Sequence, residues 1–158
     1  VHDAWATLER TIAALPDHRL TRPGPDGGWS IKDHLDHLAA WERILLARLR
    51  GQPEREHEAT GLGPEVYDAA DLDEINQSIH HRQGQRTLAQ SLDDFRATHL
   101  RLTAHLEGLK WKDLSDQERT GAPELPLLGT TVGNTYDHYA EHLATIQELA
   151  DEKPPQQP

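Results

Sequence analysis

The stretch from Ser30 to Gly51 reads SIKDHLDHLAAWERILLARLRG. Ser30 is a favourable N-cap, and Asp33 stands three residues on, where a capping box places a side chain that reaches back to the cap. Ile31, Leu35, Leu38, Leu45 and Leu49 then recur at helical intervals until Gly51 and Pro53 stop the pattern. The spacing predicts one helix of about twenty residues, long enough to be a principal element of a bundle.

Upstream, Trp5, Leu8, Ile12 and Leu15 repeat every three or four residues and predict a helix ending at Pro16. Pro16, Pro23, Gly24, Pro25, Gly27 and Gly28 make the next segment a loop. Downstream, Pro53, Gly61, Gly63 and Pro64 interrupt a charged section and predict a long connection over 51–70. A helical pattern returns from Asp71 to Leu109, with Leu72, Ile75 and Ile79 before Gly84 and Leu88, Leu92, Phe95, Leu100, Leu102, Leu106 and Leu109 after it; Gly84 is a candidate bend or split. Gly121, Pro123, Pro126 and Gly129 predict another loop. The last helix is expected from about Thr131, with Val132, Tyr136, Tyr139, Leu143, Ile146 and Ala150 as its apolar stripe.

These elements, with no convincing alternating strand and no internal repeat, define an all-α fold, a four-helix bundle. The length suits a single domain over residues 1–150, with 151–158 as a frayed tail. A connection of about twenty residues between the second and third helices permits a crossover that leaves both pointing the same way.

Composition narrows the chemistry. The formal net charge of −11 and the lack of a basic run disfavour nucleic acid. Apolar runs are short, so no membrane span or signal peptide is expected, and a cytoplasmic location is the natural reading. With no cysteine, disulfides, thiolate nucleophiles and Cys-type zinc sites are excluded, and His, Asp and Glu remain as metal ligands.

Eleven histidines make the ligand question concrete. His138 and His142 are four apart in Gly133-Asn134-Thr135-Tyr136-Asp137-His138-Tyr139-Ala140-Glu141-His142, which stacks them on one helical face, where two nitrogens could share a cation. The intervening residues do not make a His-Glu-x-x-His motif, so a zincin-type base does not follow. A third ligand must come from elsewhere. His2, His18, His57, His80 and His81 fall at a terminus, in loops or in a polar stretch, and His99 and His105 read as surface or boundary residues. His34 and His37 remain. Helical phase puts His34 nearer the centre of its apolar stripe and His37 on the flank with Trp41, and it does not decide between them.

Three blocks carry a family resemblance: Gly27-Gly28-Trp29-Ser30-Ile31-Lys32-Asp33 leading to His37-Leu38-Ala39-Ala40-Trp41-Glu42, then Asp73-Glu74-Ile75-Asn76, then Gly133-Asn134-Thr135-Tyr136 leading to His138 and His142. In this order they resemble the DinB/YfiT-like superfamily of small metal-binding four-helix bundles. The resemblance implies an up-down-down-up topology and a divalent metal, often nickel or zinc, held by one histidine of the second helix and the pair on the fourth, with water completing the shell. Aligned on Trp29 to Asp33, the ligands are His37, His138 and His142, and His34 becomes a core histidine or one that supports a ligand.

Such an open three-histidine site suits a metal-dependent hydrolase or a transferase that uses a low-molecular-weight thiol on a small-molecule substrate. Glu42, Asp137 and Glu141 are the carboxylates nearest in sequence, each expected as a surface charge before a base; Tyr136 and Trp41 are candidates to line the mouth. A second reading is a small-molecule-binding or self-protection protein like the ClbS/DfsB branch. A third is a bundle that binds metal opportunistically. Resemblance also suggests a homodimer.

Overall fold

The computed structural model describes residues 2–114 and 127–151, and among them the secondary structure is helical with no strand. The principal helices are α1 (His2–Ala13), α3 (Ile31–Leu49), α6 (Leu88–Gly108) and α9 (His138–Asp151), with α5 (Leu72–Gln83) packed beside α3. Short helices fill the connections: α2 (Asp17–Leu20), α4 (Pro64–Ala69), α7 (Trp111–Leu114) and α8 (Leu127–Val132). The loop expected through Gly121, Pro123 and Pro126, and the tail expected beyond residue 151, lie outside the described residues.

The local signals that start the helices are chemical and visible. The Ser30 hydroxyl accepts from the Asp33 amide while the Asp33 carboxylate accepts from the Ser30 amide, closing the capping box of α3. Asp71 with Glu74 caps α5 in the same way, and Thr87 with Gln90 caps α6. The two boxes explain why the helical pattern from 71 to 109 is two helices rather than one bent at Gly84: Thr87 is extended, with ψ 157°, and α6 nucleates afresh. The 51–70 connection is itself structured, through a 3₁₀ segment at Pro53–Ala59 and α4.

One core joins the four long helices. Leu8 and Ile12 of α1, Ile31, Leu35, Leu38 and Ala39 of α3, Phe95 of α6, and Tyr139 and Ile146 of α9 are buried together. A second cluster places Leu45, Leu46 and Leu49 against Leu102 and Leu127. Contacts between α3 and α6 advance in one direction along both: Asp36 meets Ser91, Glu42 meets His99, and the Leu49 carbonyl faces His105. These helices are therefore parallel. Between α3 and α9 the order reverses, with His34 meeting His142 and Glu42 meeting Tyr139, so that pair is antiparallel.

The last helical segment departs from the expected pattern in two ways. Helix starts at Leu127, so Gly129 is helical rather than part of a loop. Between α8 and α9 the chain makes a π-helical turn, Gly133–Asp137, in which the His138 amide bonds the Gly133 carbonyl five residues back. The wider turn rotates the residues before it relative to those after. Val132 and Tyr136, expected in the buried stripe, are exposed as a result, and Thr131 and Thr135 take the inward positions.

Because the α3 capping box closes both ways, Ser30→Ala is expected to lower stability by about 1 kcal/mol while leaving the helical circular dichroism intact. An unchanged urea midpoint would show that the box adds nothing.

Candidate metal centre

Antiparallel packing of α3 on α9 brings the histidines together. His37 and His138 face each other with Nε2 atoms 3.0 Å apart, and the His138 and His142 Nε2 atoms are 3.1 Å apart. One nitrogen from each of the three lies within 4.8 Å of the others, and among the described residues this is the group able to hold a metal ion. Two imidazole nitrogens bound to one zinc-like ion at about 2.0–2.1 Å would stand about 3.0–3.4 Å apart, so the donors already have the necessary spacing.

The protonation states agree with the donor role. Burial pushes His138 down to about 4 and His142 to about 3, the latter helped by the neighbouring His138 and His34. Burial and the three surrounding imidazoles take His37 down to about 2. All three are neutral at pH 7. The His138 Nε2 faces two other Nε2 atoms but carries either one hydrogen or one lone pair, so in the neutral cluster it completes a full hydrogen bond with only one of them. A cation at the centre would turn those lone pairs from a liability into a ligand set.

His34 sits outside this set. Its Nδ1 lies 2.8 Å from the Nδ1 of His142, the nitrogen opposite the one that faces the cluster. If His142 Nε2 is to carry a free lone pair, its Nδ1 keeps the proton and donates it to His34 Nδ1. His34 then fixes the tautomer and tilt of His142, as outer partners of ligand histidines do. His37 has no such partner: its Nδ1 is buried without a hydrogen bond.

Two tryptophans wall the cluster. Trp29 immediately precedes the Ser30 cap, and its ring centroid is 5.0 Å from that of His37 and 5.4 Å from that of His34. The tight turn before it depends on Gly24, where a Cβ would meet the Trp29 carbonyl oxygen at 2.9 Å, and on Gly27, whose φ is +76°. Trp41 stands on the other side, near His37 and His138, and its indole N–H donates to Asn76 Oδ1 at 3.1 Å. One turn further along α5, exposed His80 stacks on Trp29 with ring planes 7° apart. The Asn76–His80 face of α5 thus steadies both walls.

Several sequence expectations change here. Tyr136, a candidate to line the mouth, points to solvent, 57% exposed, whereas Asp137 and Glu141 are exposed as expected of surface charges. Glu42 is the opposite of a surface charge: it is fully buried, where its Oε1 accepts from the Tyr139 hydroxyl and lies 2.9 Å from His99 Nδ1. His99, expected at the surface or boundary, is buried with its ring stacked on Trp5 at 3.6 Å. Burial pushes the Glu42 carboxyl well up and His99 down to about 4, so each is biased towards its neutral form. Contacts among α1, α3, α6 and α9 define these roles, and helical phase within α3 or α6 does not show them.

The fold and site define a helical bundle with a cluster of three histidines that could hold a divalent metal. The sequence profile of the DinB superfamily matches residues 1–146, and the chain belongs to that superfamily. No curated protein and no solved structure matches it.

The depressed histidines have a pH consequence. Each binds its proton less readily in the folded chain than at the ordinary 6.5, so their stabilising contribution is complete above about pH 6.5 and is lost as the pH falls towards 4. Glu42 acts in the opposite sense, its contribution declining as pH rises above 4.5. The comparison that isolates the histidines is therefore wild type against His142→Gln, both metal-free. Urea midpoints should fall more steeply for wild type between about pH 7 and pH 5; equal slopes would mean His142 is not held neutral by the fold.

Proposed function

We propose that this chain is a divalent-metal-dependent enzyme acting on a small molecule, as a hydrolase or as a transferase using a low-molecular-weight thiol. The observation that supports it best is the convergence of three neutral imidazole nitrogens from two helices with no carboxylate among them. His37, His138 and His142 would hold the ion. A neutral ligand set leaves its charge uncompensated, and when bound it supplies Lewis acidity at positions the protein does not fill. Nickel and zinc suit imidazole donors.

The chain's own residues define the remaining roles. His34 would orient His142. Trp29 and Trp41 would shield the ion's surroundings and offer aromatic faces to a substrate. Asp137 at the end of the π-helical turn and Glu141 in the first turn of α9 are both exposed, and neither belongs to the ligand cluster. That favours a reaction whose nucleophile is made acidic by the ion itself, as a thiol or water would be.

A self-protection role of the ClbS/DfsB kind is the second reading, supported by the same aromatic walls, which could enclose a reactive small molecule. Among the described residues no helix is long and apolar enough to cross a membrane. A cytoplasmic setting and a homodimer belong to the proposal, with the exposed Leu100 of α6 an available apolar contact.

Metal analysis of protein purified without a nickel column tests the site. Wild type is expected to retain about one divalent ion per chain, and His37→Ala and His142→Ala to lose most of it, an expected loss of about 10-fold or more in affinity. Full retention by both variants would contradict the ligand assignment. Thiol-transfer and hydrolysis assays on the loaded protein then separate enzyme from binder, since a binder would take up its ligand without turnover.

A further inference from the structure

On the opposite side of α3 from the histidines lies a cleft of about 580 Å³ lined by six arginines: Arg43, Arg50, Arg55, Arg82, Arg86 and Arg101. Arg43 and Arg50 lie six and thirteen residues beyond His37, about 240° and 220° around the helix from it. The two sites therefore open on different faces. The cleft is formed by the C-terminal half of α3, the Pro53–Ala59 segment, the end of α5 with the link that follows it, and the middle of α6.

Its charge runs against the rest of the molecule. Of sixteen lysines and arginines in a chain of net charge −11, six converge here, with Glu58 and Asp94 as the lining carboxylates. Asp94 is shared between Arg43 and Arg86, which together outweigh its burial and hold its carboxyl below the usual range, and Arg86 also approaches Asp36 at 3.5 Å from beneath the cleft. Glu58 pairs with Arg55 at 3.0 Å. Arg82 donates to the Glu58 carbonyl oxygen, a neutral acceptor, so its charge is not cancelled. The Arg50 and Arg101 side chains are exposed and make no hydrogen bond or ion pair among the described residues. Guanidinium groups held close together repel one another, and a site that gathers more of them than its carboxylates can neutralise is set up for an added anion.

We propose that this cleft binds a small phosphorylated molecule carrying at least two negative charges. The planar forks of arginine match phosphoryl oxygens two at a time, and Gln52 and Gln83 on the same lining supply neutral donors. The volume falls within the range of ordinary small-molecule sites, about 300–1,000 Å³. The site does not depend on a metal at the histidines.

Calorimetric titration of metal-free protein with inorganic pyrophosphate at low ionic strength tests it. One saturable site per chain is expected, weakening as salt rises. The double variant Arg50→Gln/Arg101→Gln should bind at least about 10-fold more weakly; both side chains are exposed and unpartnered, and circular dichroism checks that the variant folds. His37→Ala should bind as wild type does. Absence of saturable binding up to millimolar pyrophosphate, equal affinity in the double variant, or loss of binding in His37→Ala would each overturn the proposal. So would binding confined to phosphatidylglycerol vesicles, since that would make the face a membrane contact.

Discussion

Burial of α3 on nearly every side is the constraint from which the rest of the structure follows. The helix carries Lys32, His34, Asp36, His37 and Glu42 into the interior, and each polar group taken out of water needs a partner or costs several kcal/mol, on the order of 2–7 for an unpaired one. The partners come from different elements. Asp36 accepts from Lys32 and from Ser91 of α6, while Lys32 also donates to the Gln83 carbonyl at the end of α5. Glu42 accepts from Tyr139 of α9 and meets His99 of α6. His34 and His37 face His142 and His138 of α9. Satisfying one helix fixes the placement of three others.

That arrangement explains why the histidine cluster sits where it does. Residues on α3 and α9 pair in reverse order, so a four-residue step on α9 is answered by a three-residue step on α3. His37 lands beside His138 and His142, and His34 lies one layer behind it. The Glu42–Tyr139–His99 group lies a further turn along, where Tyr139 adjoins His138 in sequence and anchors the first turn of α9 to the core. The π-helical turn just before His138 lets α8 keep Leu127 and Thr131 buried while α9 turns its histidines towards α3.

Much of this was legible in the chain. Ser30 with Asp33 announces the start of α3, and the leucine spacing gives its length. The pair at His138 and His142 announces a shared face, because helical period alone sets it. What helical period could not supply was the choice between His34 and His37, since that depends on the stagger of α9 against α3, a tertiary quantity. The resemblance to the superfamily pointed to His37, which the structure brings to the other two. The buried roles of Glu42 and His99 were hidden because their partners are distant in sequence. Tyr136 was misplaced because a single wide turn shifts the register of an otherwise regular stripe. The arginine cleft was invisible for a related reason: its six side chains are scattered over nearly sixty residues and form no basic run.

The central claim is that His37, His138 and His142, through their Nε2 atoms, hold one divalent ion while His34 supports His142 from behind. X-ray absorption spectroscopy on nickel- or zinc-loaded protein reports the ligands directly. The account predicts about three imidazole nitrogens at about 2.0–2.1 Å, falling by one in His37→Ala and keeping three in His34→Ala. Loss of an imidazole in His34→Ala with none lost in His37→Ala would contradict it.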